Sequence, residues 1–203
     1  RMTNIWDLLP GDRVYITSTS GGQRGMAWNP VSSNLLVVSH VPSNNIVILD
    51  PATGAEKGFM NLDGVPAGAA GAHVIGVPDD GPVYAATVPA DTSSPSTPFI
   101  LTRWDSDDTN VEPLQLLAGD PGYYATGTGG NGLRWGDNMT VRGAGADTQI
   151  LMGPGSSTNV CFLVTEDGYS YMPMIIPITG VTSGFAAWGV AFGPGTNTFW
   201  AKG

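Results

Sequence analysis

Seventeen Asp and Glu against eight Lys and Arg make carboxylates the most abundant source of chemistry in this 203-residue sequence. A polysaccharide hydrolase needs two of them facing each other across a bond, about 5 Å or about 6.5–9.5 Å apart according to mechanism. Asp50, Asp79 with Asp80, Asp105 with Asp107 and Asp108, and Glu166 with Asp167 all stand in turn-forming sequence, where Asp is favoured because its side chain bonds its own backbone. Asp137 differs, since Arg134-Trp135-Gly136-Asp137-Asn138 leads into a strand. Its carboxylate is placed to meet a polar ligand, or to pair with Arg134 or Arg142. The catalytic candidates are Asp137 with Asp105 or Asp80. Asp105, Asp107 and Asn110 have the oxygen spacing that a hard cation such as calcium prefers. The glycine of the sharp bend is missing, however, and Glu112 comes too early to close such a loop, so a plain hairpin competes.

Other chemistries have less to work with. His40 and His73 are the only histidines and Cys161 the only cysteine, too few for a convincing zinc site. No nucleophile elbow of the Gly-x-Ser-x-Gly kind occurs. The glycine-rich run at 127–132 precedes no helical pattern on which a phosphate could rest. No organic cofactor is expected, and calcium bracing the long loops is the one inorganic possibility. Aromatic residues give a different lead, because sugars stack their apolar faces on Tyr and Trp. Tyr123 and Tyr124 lie in a long connection that ends near Trp135, so Tyr123, Tyr124, Arg134, Trp135 and Asp137 form the expected ligand-binding set.

These residues depend on a weak repeat of about fifty residues for their placement. One copy begins at Gly25-Met26-Ala27-Trp28 and continues through Leu35-Leu36-Val37-Val38 and Ile46-Val47-Ile48-Leu49 to a last strand after Gly54. Later copies start near His73, Asn138 and Trp188. Four short strands per period joined by tight turns is the signature of a β-propeller blade. The expected fold is all-β: one propeller domain over 1–203, with blades at about 24–63, 72–118, 134–178 and 186–203. In that reading residues 13–19 form a strand that joins the incomplete last blade. Trp28, Trp104, Trp188 and Trp200 are expected to pack blade on blade. Two arrangements follow, a four-bladed ring closed by both chain ends, or half of a larger ring whose open edges meet a second copy or further chain.

The run Leu8-Leu9-Pro10-Gly11, then Arg24-Gly25-Met26-Ala27-Trp28-Asn29-Pro30, Val47-Ile48-Leu49-Asp50-Pro51-Ala52-Thr53-Gly54 and Gly76-Val77-Pro78-Asp79-Asp80-Gly81 resembles bacterial extracellular propeller domains of unknown function. Leu101-Thr102-Arg103-Trp104, Arg134-Trp135-Gly136-Asp137 and Gly189-Val190-Ala191-Phe192-Gly193 carry the likeness over most of the chain. The segment Ile48 to Gly54 by itself is similar to NHL and YVTN-type hairpins. The resemblance implies a secreted bacterial protein and offers no catalytic residues to carry over. It also implies a pattern that continues beyond this chain, which favours the half-ring.

Composition sets the remaining bounds. A net charge of −9 with basic residues scattered singly disfavours nucleic acid and anionic membrane surfaces. No apolar run approaches the ~18 residues of a membrane span, and no leader precedes a hydrophobic stretch. The chain starts at Arg1, as expected if it is processed or excised from something longer. Cys161, in the alternating run Val160-Cys161-Phe162-Leu163, reads as a buried small hydrophobe. The expected function is an extracellular binding or scaffolding module without catalysis, recognising carbohydrate or protein and completed by self-association. The alternative is a glycoside hydrolase.

Overall fold

The computed structural model describes residues 4–18, 21–66, 71–88, 98–126, 134–195 and 197–203. Strands β1 (Gln23–Asn29), β2 (Asn34–Ser39), β3 (Asn45–Leu49) and β4 (Glu56–Phe59) form the first sheet. The second sheet is β5 (Ala72–Gly76), β6 (Val83–Thr87), β7 (Ile100–Trp104) and β8 (Leu114–Ala118), and the third is β9 (Asn138–Arg142), β10 (Gln149–Gly153), β11 (Asn159–Thr165) and β12 (Tyr171–Pro177). A hairpin of β13 (Gly189–Phe192) and β14 (Phe199–Lys202) makes a two-stranded fourth. All neighbours are antiparallel and follow chain order, most of them joined by short turns. The turn after β3 shows how: Asp50 Oδ1 accepts from the Ala52 and Thr53 amides at 2.9 Å, and Gly54 takes a φ of 69° that a side chain would resist.

Strands β6 and β10 of the middle sheets alternate between two neighbours. Val83 and Ala85 of β6 face the first sheet, whereas Tyr84 and Ala86 face the third. Ile150 and Met152 of β10 pack on the second sheet and Leu151 on the hairpin. Period-two sequence with both faces apolar is what a sheet stacked on two sides requires. Trp104 fills the first interface and Trp135 the second, each essentially fully buried and each worth several Leu-sized contacts. Cys161 is buried in the second interface as expected, and burial pushes its thiol well above the ordinary range.

The first strands stand side by side, β1 on β5, β5 on β9 and β9 on β13, so the sheets fan from a shared inner edge. Glycine permits this approach. A Cβ on Gly25 of β1 would lie 3.0 Å from the Ile75 amide, and one on Gly76 of β5 would meet the Val141 side chain of β9. Polar ties lock the fan. Asp107 accepts from Ser32 Oγ at 2.6 Å and Asn34 Nδ2 at 2.9 Å, joining sheet two to sheet one. Asp80 accepts from the Gly145 amide at 2.8 Å, and Asn138 Nδ2 donates to the Ala186 carbonyl at 2.7 Å. The architecture is all-β and propeller-like.

The chain's beginning departs from expectation. Residues 13–18 are turns and bends, not a strand, and pair with no sheet; instead Tyr15, with Leu8 and Ile16, lies on the outward face of the first sheet over Val47 and Leu49. The Trp6 indole donates to the Pro51 carbonyl at 2.6 Å, and the Tyr15 carbonyl accepts from Gln23 Nε2 and Ser39 Oγ. Alternation in Arg13 to Ser18 suits a strand, but Val14 is left exposed while Tyr15 finds an aromatic partner in Phe59, centroids 6.0 Å apart. This strap covers the outer strands of that face and leaves Met26 and Trp28 of β1 exposed. At the opposite flank Trp188 and Trp200 are 78% and 69% exposed. Of the four tryptophans expected to pack between blades, Trp104 alone does so here. Among the described residues no helix is long and apolar enough to cross a membrane.

Candidate functional site

Topology sorts the singled-out residues onto two ends of the fan. The end where the first strands finish carries the turns with Asp79, Asp80, Asp105, Asp107, Asp108 and Asp167. The end where they start carries Arg24, His40, His73, Arg134 and Asp137. Asp80 reaches the Gly145 amide just past β9, while Asp137 immediately precedes β9. Five residues of strand at ~3.3 Å each put about 16 Å between them, beyond the reach of a hydrolase pair. Asp105, at the turn end, pairs with Arg103 at 2.8 Å, and Asp137 pairs with Arg134 at 2.6 Å. The structure therefore does not bring Asp137 together with Asp80 or Asp105.

The three calcium candidates turn to separate partners. Asp105 meets Arg103, Asp107 is buried against Ser32 and Asn34, and Asn110 Nδ2 donates to Asp108. Among the described residues no group of three or more His, Cys, Asp or Glu is placed to hold a metal. Turn hydrogen bonds engage Asp50 and Asp167. Bonds from the Ser170 and Tyr169 amides hold the Asp167 carboxyl far below its ordinary range, and bonding to Thr53 lowers that of Asp50.

The expected ligand-binding set divides three ways. Tyr123 and Tyr124 lie on α1 (Pro121–Thr126), each more than half exposed, with rings 6.3 Å apart edge to face. The Tyr124 hydroxyl donates to the Ala118 carbonyl at 2.6 Å, which fixes its ring beside a cleft of about 440 Å³. Leu117, Val164, Tyr171, Met172 and Pro173 give that cleft an apolar lining, with Glu166, Asp167 and Ser170 at one side. Trp135 is not a platform: it is buried in the core, its indole donating to Asp120 Oδ1 at 3.1 Å. Arg142, a possible partner for Asp137, lies at the far end of β9, where it donates to Gln149 and the Gly195 carbonyl and stacks on Phe192 at 4.0 Å. The glycine run 127–132 and most of the long connection at 89–98 fall outside the described residues.

Sequence reasoning missed the cluster at the strand-start end. Register shifts interrupt the pairing of β1 between Gln23 and Met26 and of β5 between Ala72 and Val74. Such bulges re-aim side chains, and here they fall on Arg24 and His73. His73 is 8% exposed, and its ring lies 5.4 Å from that of His40. His40 Nε2 meets the Ala72 carbonyl at 2.7 Å; a carbonyl only accepts, so this nitrogen carries a proton. His73 Nδ1 is buried with no hydrogen-bond partner, which costs about 1–3 kcal/mol. Burial, followed by the charges of Arg24, His40 and Arg134, lowers the His73 pKa to about 4. The missed signal was local: a charged and a titratable residue at equivalent places in two repeats.

The fold and these sites define a propeller-like all-β protein. No protein-family model matches the sequence, and no curated protein matches it. A DUF4623 family protein from Bacteroides eggerthii has a similar fold, with a TM-score of 0.66 at 16% identity over 90% of this chain and 41% of that one. This chain thus spans less than half the length of that structure. A gluconolactonase from Xanthomonas campestris aligns over 92% of this chain and 68% of its own, with 14% identity and a TM-score of 0.42, too low to carry an argument.

Proposed function

We propose that this chain is a secreted, non-catalytic binding module that completes a larger propeller by pairing with a second copy of itself. The carrying observation is the pair of open flanks. Met26 and Trp28 are 68% and 48% exposed on the first sheet, and Trp188 and Trp200 are more exposed still on the last hairpin. Large apolar groups at blade-facing positions gain about 1.5–3 kcal/mol each when covered. The strap of residues 5–18 leaves open only the inner part of the first sheet, and the hairpin of β13 and β14 is itself an inner half-sheet. Two copies joined head to tail use both flanks at once and leave neither bare.

Carbohydrate is the ligand class this reading favours. The Tyr124 ring, held by its own hydroxyl beside a cleft with an apolar lining and a polar side, has the composition of a sugar platform. A hydrolase would instead need facing carboxylates, one of which keeps its proton. The carboxylates at issue here pair with Arg134 and Arg103 or bond the neighbouring sheet. Light scattering on a sizing column tests the assembly. About twice the 21.0 kDa chain mass is expected, and a monomer at every concentration overturns it. Release of sugar from polysaccharide by the purified chain overturns the non-catalytic reading.

A further inference from the structure

We propose that the strand-start end of the fan holds a binding site for a carboxylate group, formed by Arg24, His40 and His73 with Arg134 at its edge. The inference goes beyond the Tyr124 cleft and does not depend on it. In a chain of net charge −9, cationic groups are expected to stand beside acids. At this end Arg24 departs from that expectation. Arg24 has no carboxylate within ion-pair distance among the described residues, and the groups acting on the His73 ring are Arg24, His40 and Arg134. Two acids stand at this end and both are engaged: Arg134 holds Asp137 at 2.6 Å, and Asp120 accepts from the Trp135 indole at 3.1 Å.

His73 supplies the second, independent sign. A ring that is nine-tenths buried keeps its Nδ1 without any partner, although bulges have re-aimed both this residue and Arg24. A neutral imidazole protonated at Nδ1 and an arginine fork are both planar donors. Together they match a planar, singly charged carboxylate better than a more highly charged phosphate, which the overall acidic field also repels. Nothing is transferred in this step: the site binds an anion, and its charge makes protonation of His73 easier. Occupancy therefore raises the His73 pKa from about 4 toward its ordinary value.

A carboxylate can arrive on a small organic acid or on an acidic sugar, and the experiment separates them. The chain has two histidines, so nitrogen-correlated NMR of the imidazoles shows two ring systems. Titration with acetate, galacturonate, inorganic phosphate and neutral galactose is followed at pH 6.5 in the full chain, with the mass measured in the same samples. Saturable shifts of the His73 ring with galacturonate and acetate, and none with galactose, are expected. Tighter binding of galacturonate than of acetate assigns the acidic sugar, and equal binding the bare carboxylate. Arg24→Gln, at an exposed position, should keep the melting temperature and weaken binding about tenfold or more. Absence of any saturable shift, an equal response in the Arg24→Gln chain, or a stronger response to inorganic phosphate overturns the proposal. A dimer that shows no carboxylate response refutes this site alone, whereas a monomer that shows one refutes the self-pairing alone.

Discussion

Strands β2 and β3 present two apolar faces that are covered in different ways. Leu36, Val38, Ile46 and Ile48 meet the second sheet and Trp104, whereas Leu35, Val37, Val47 and Leu49 meet an irregular strap led by Tyr15. A sheet covers its neighbour across its width. The strap buries Val47 and Leu49 as completely as any core residue, yet it leaves Met26 and Trp28 on β1 in water. The lesson is that an alternating strand demands a cover without specifying it. Where the cover is narrower than the sheet, the remainder stays in water.

The sealed face carries the largest expected losses. Trp104→Ala removes a fully buried ring and its 2.7 Å bond to the Asn61 carbonyl, and should cost about 3–5 kcal/mol in urea unfolding. Asp107→Ala strips the acceptor from Ser32 and Asn34 and should cost about 1.5–3 kcal/mol by the same assay. His73 sharpens the contrast through pH. Its folded pKa, about 4, lies below the ordinary 6.5, so the unfolded chain binds the extra proton between these values. Stability from this group is full above pH 6.5 and falls as pH drops toward 4. The expected loss is about 2 kcal/mol, below the full shift because the flanking charges are partly screened. A His73→Gln chain should lack that pH-dependent part when unfolding is compared at pH 7.5 and 4.5. At the open flank, Trp200→Ala should change the stability of the single chain by less than about 0.5 kcal/mol. It should nevertheless halve the mass seen by light scattering. Smallest of all is the response to calcium: with Asp105, Asp107 and Asn110 each engaged elsewhere, chelator should leave the melting temperature unchanged.

Much of the strand plan was legible because the turns are written in strong local code. Asp50 to Gly54 marks its hairpin by side-chain bonds to its own backbone and a positive φ glycine, Asp79 to Gly81 by its positive φ glycine, and the strands on either side fall within a residue or two of expectation. Arg13 to Thr19 misled because β-branched alternation reads alike in a strand and in a strap where the adjacent Tyr15 and Ile16 both pack inward and Val14 stays exposed. Trp135 looked like a ligand platform since its sequence neighbours are polar. Its burial depends on Asp120 and on core residues such as Ile150, which no local pattern connects to it. The pairing of His40 with His73 was equally invisible, being made by two strand ends in different sheets. Asp137 was half legible: the pairing with Arg134 was an expected alternative, but its separation from Asp80 required the direction of β9.

Strand order within each sheet has a consequence for how the protein is born. Since β1 to β4 pair strictly in succession, the first sheet needs nothing synthesised later for its own hydrogen bonds, and the strap's anchor at Pro51 lies within that same stretch. The emerging chain can thus complete one unit while the ribosome is still making the next, and each new sheet is laid on a finished template. Asp107, arriving with the second sheet, fastens onto Ser32 and Asn34 of the first as a latch. Trp188 and Trp200, the most water-exposed tryptophans among the described residues, stand at the last hairpin, the latest of these units to be made.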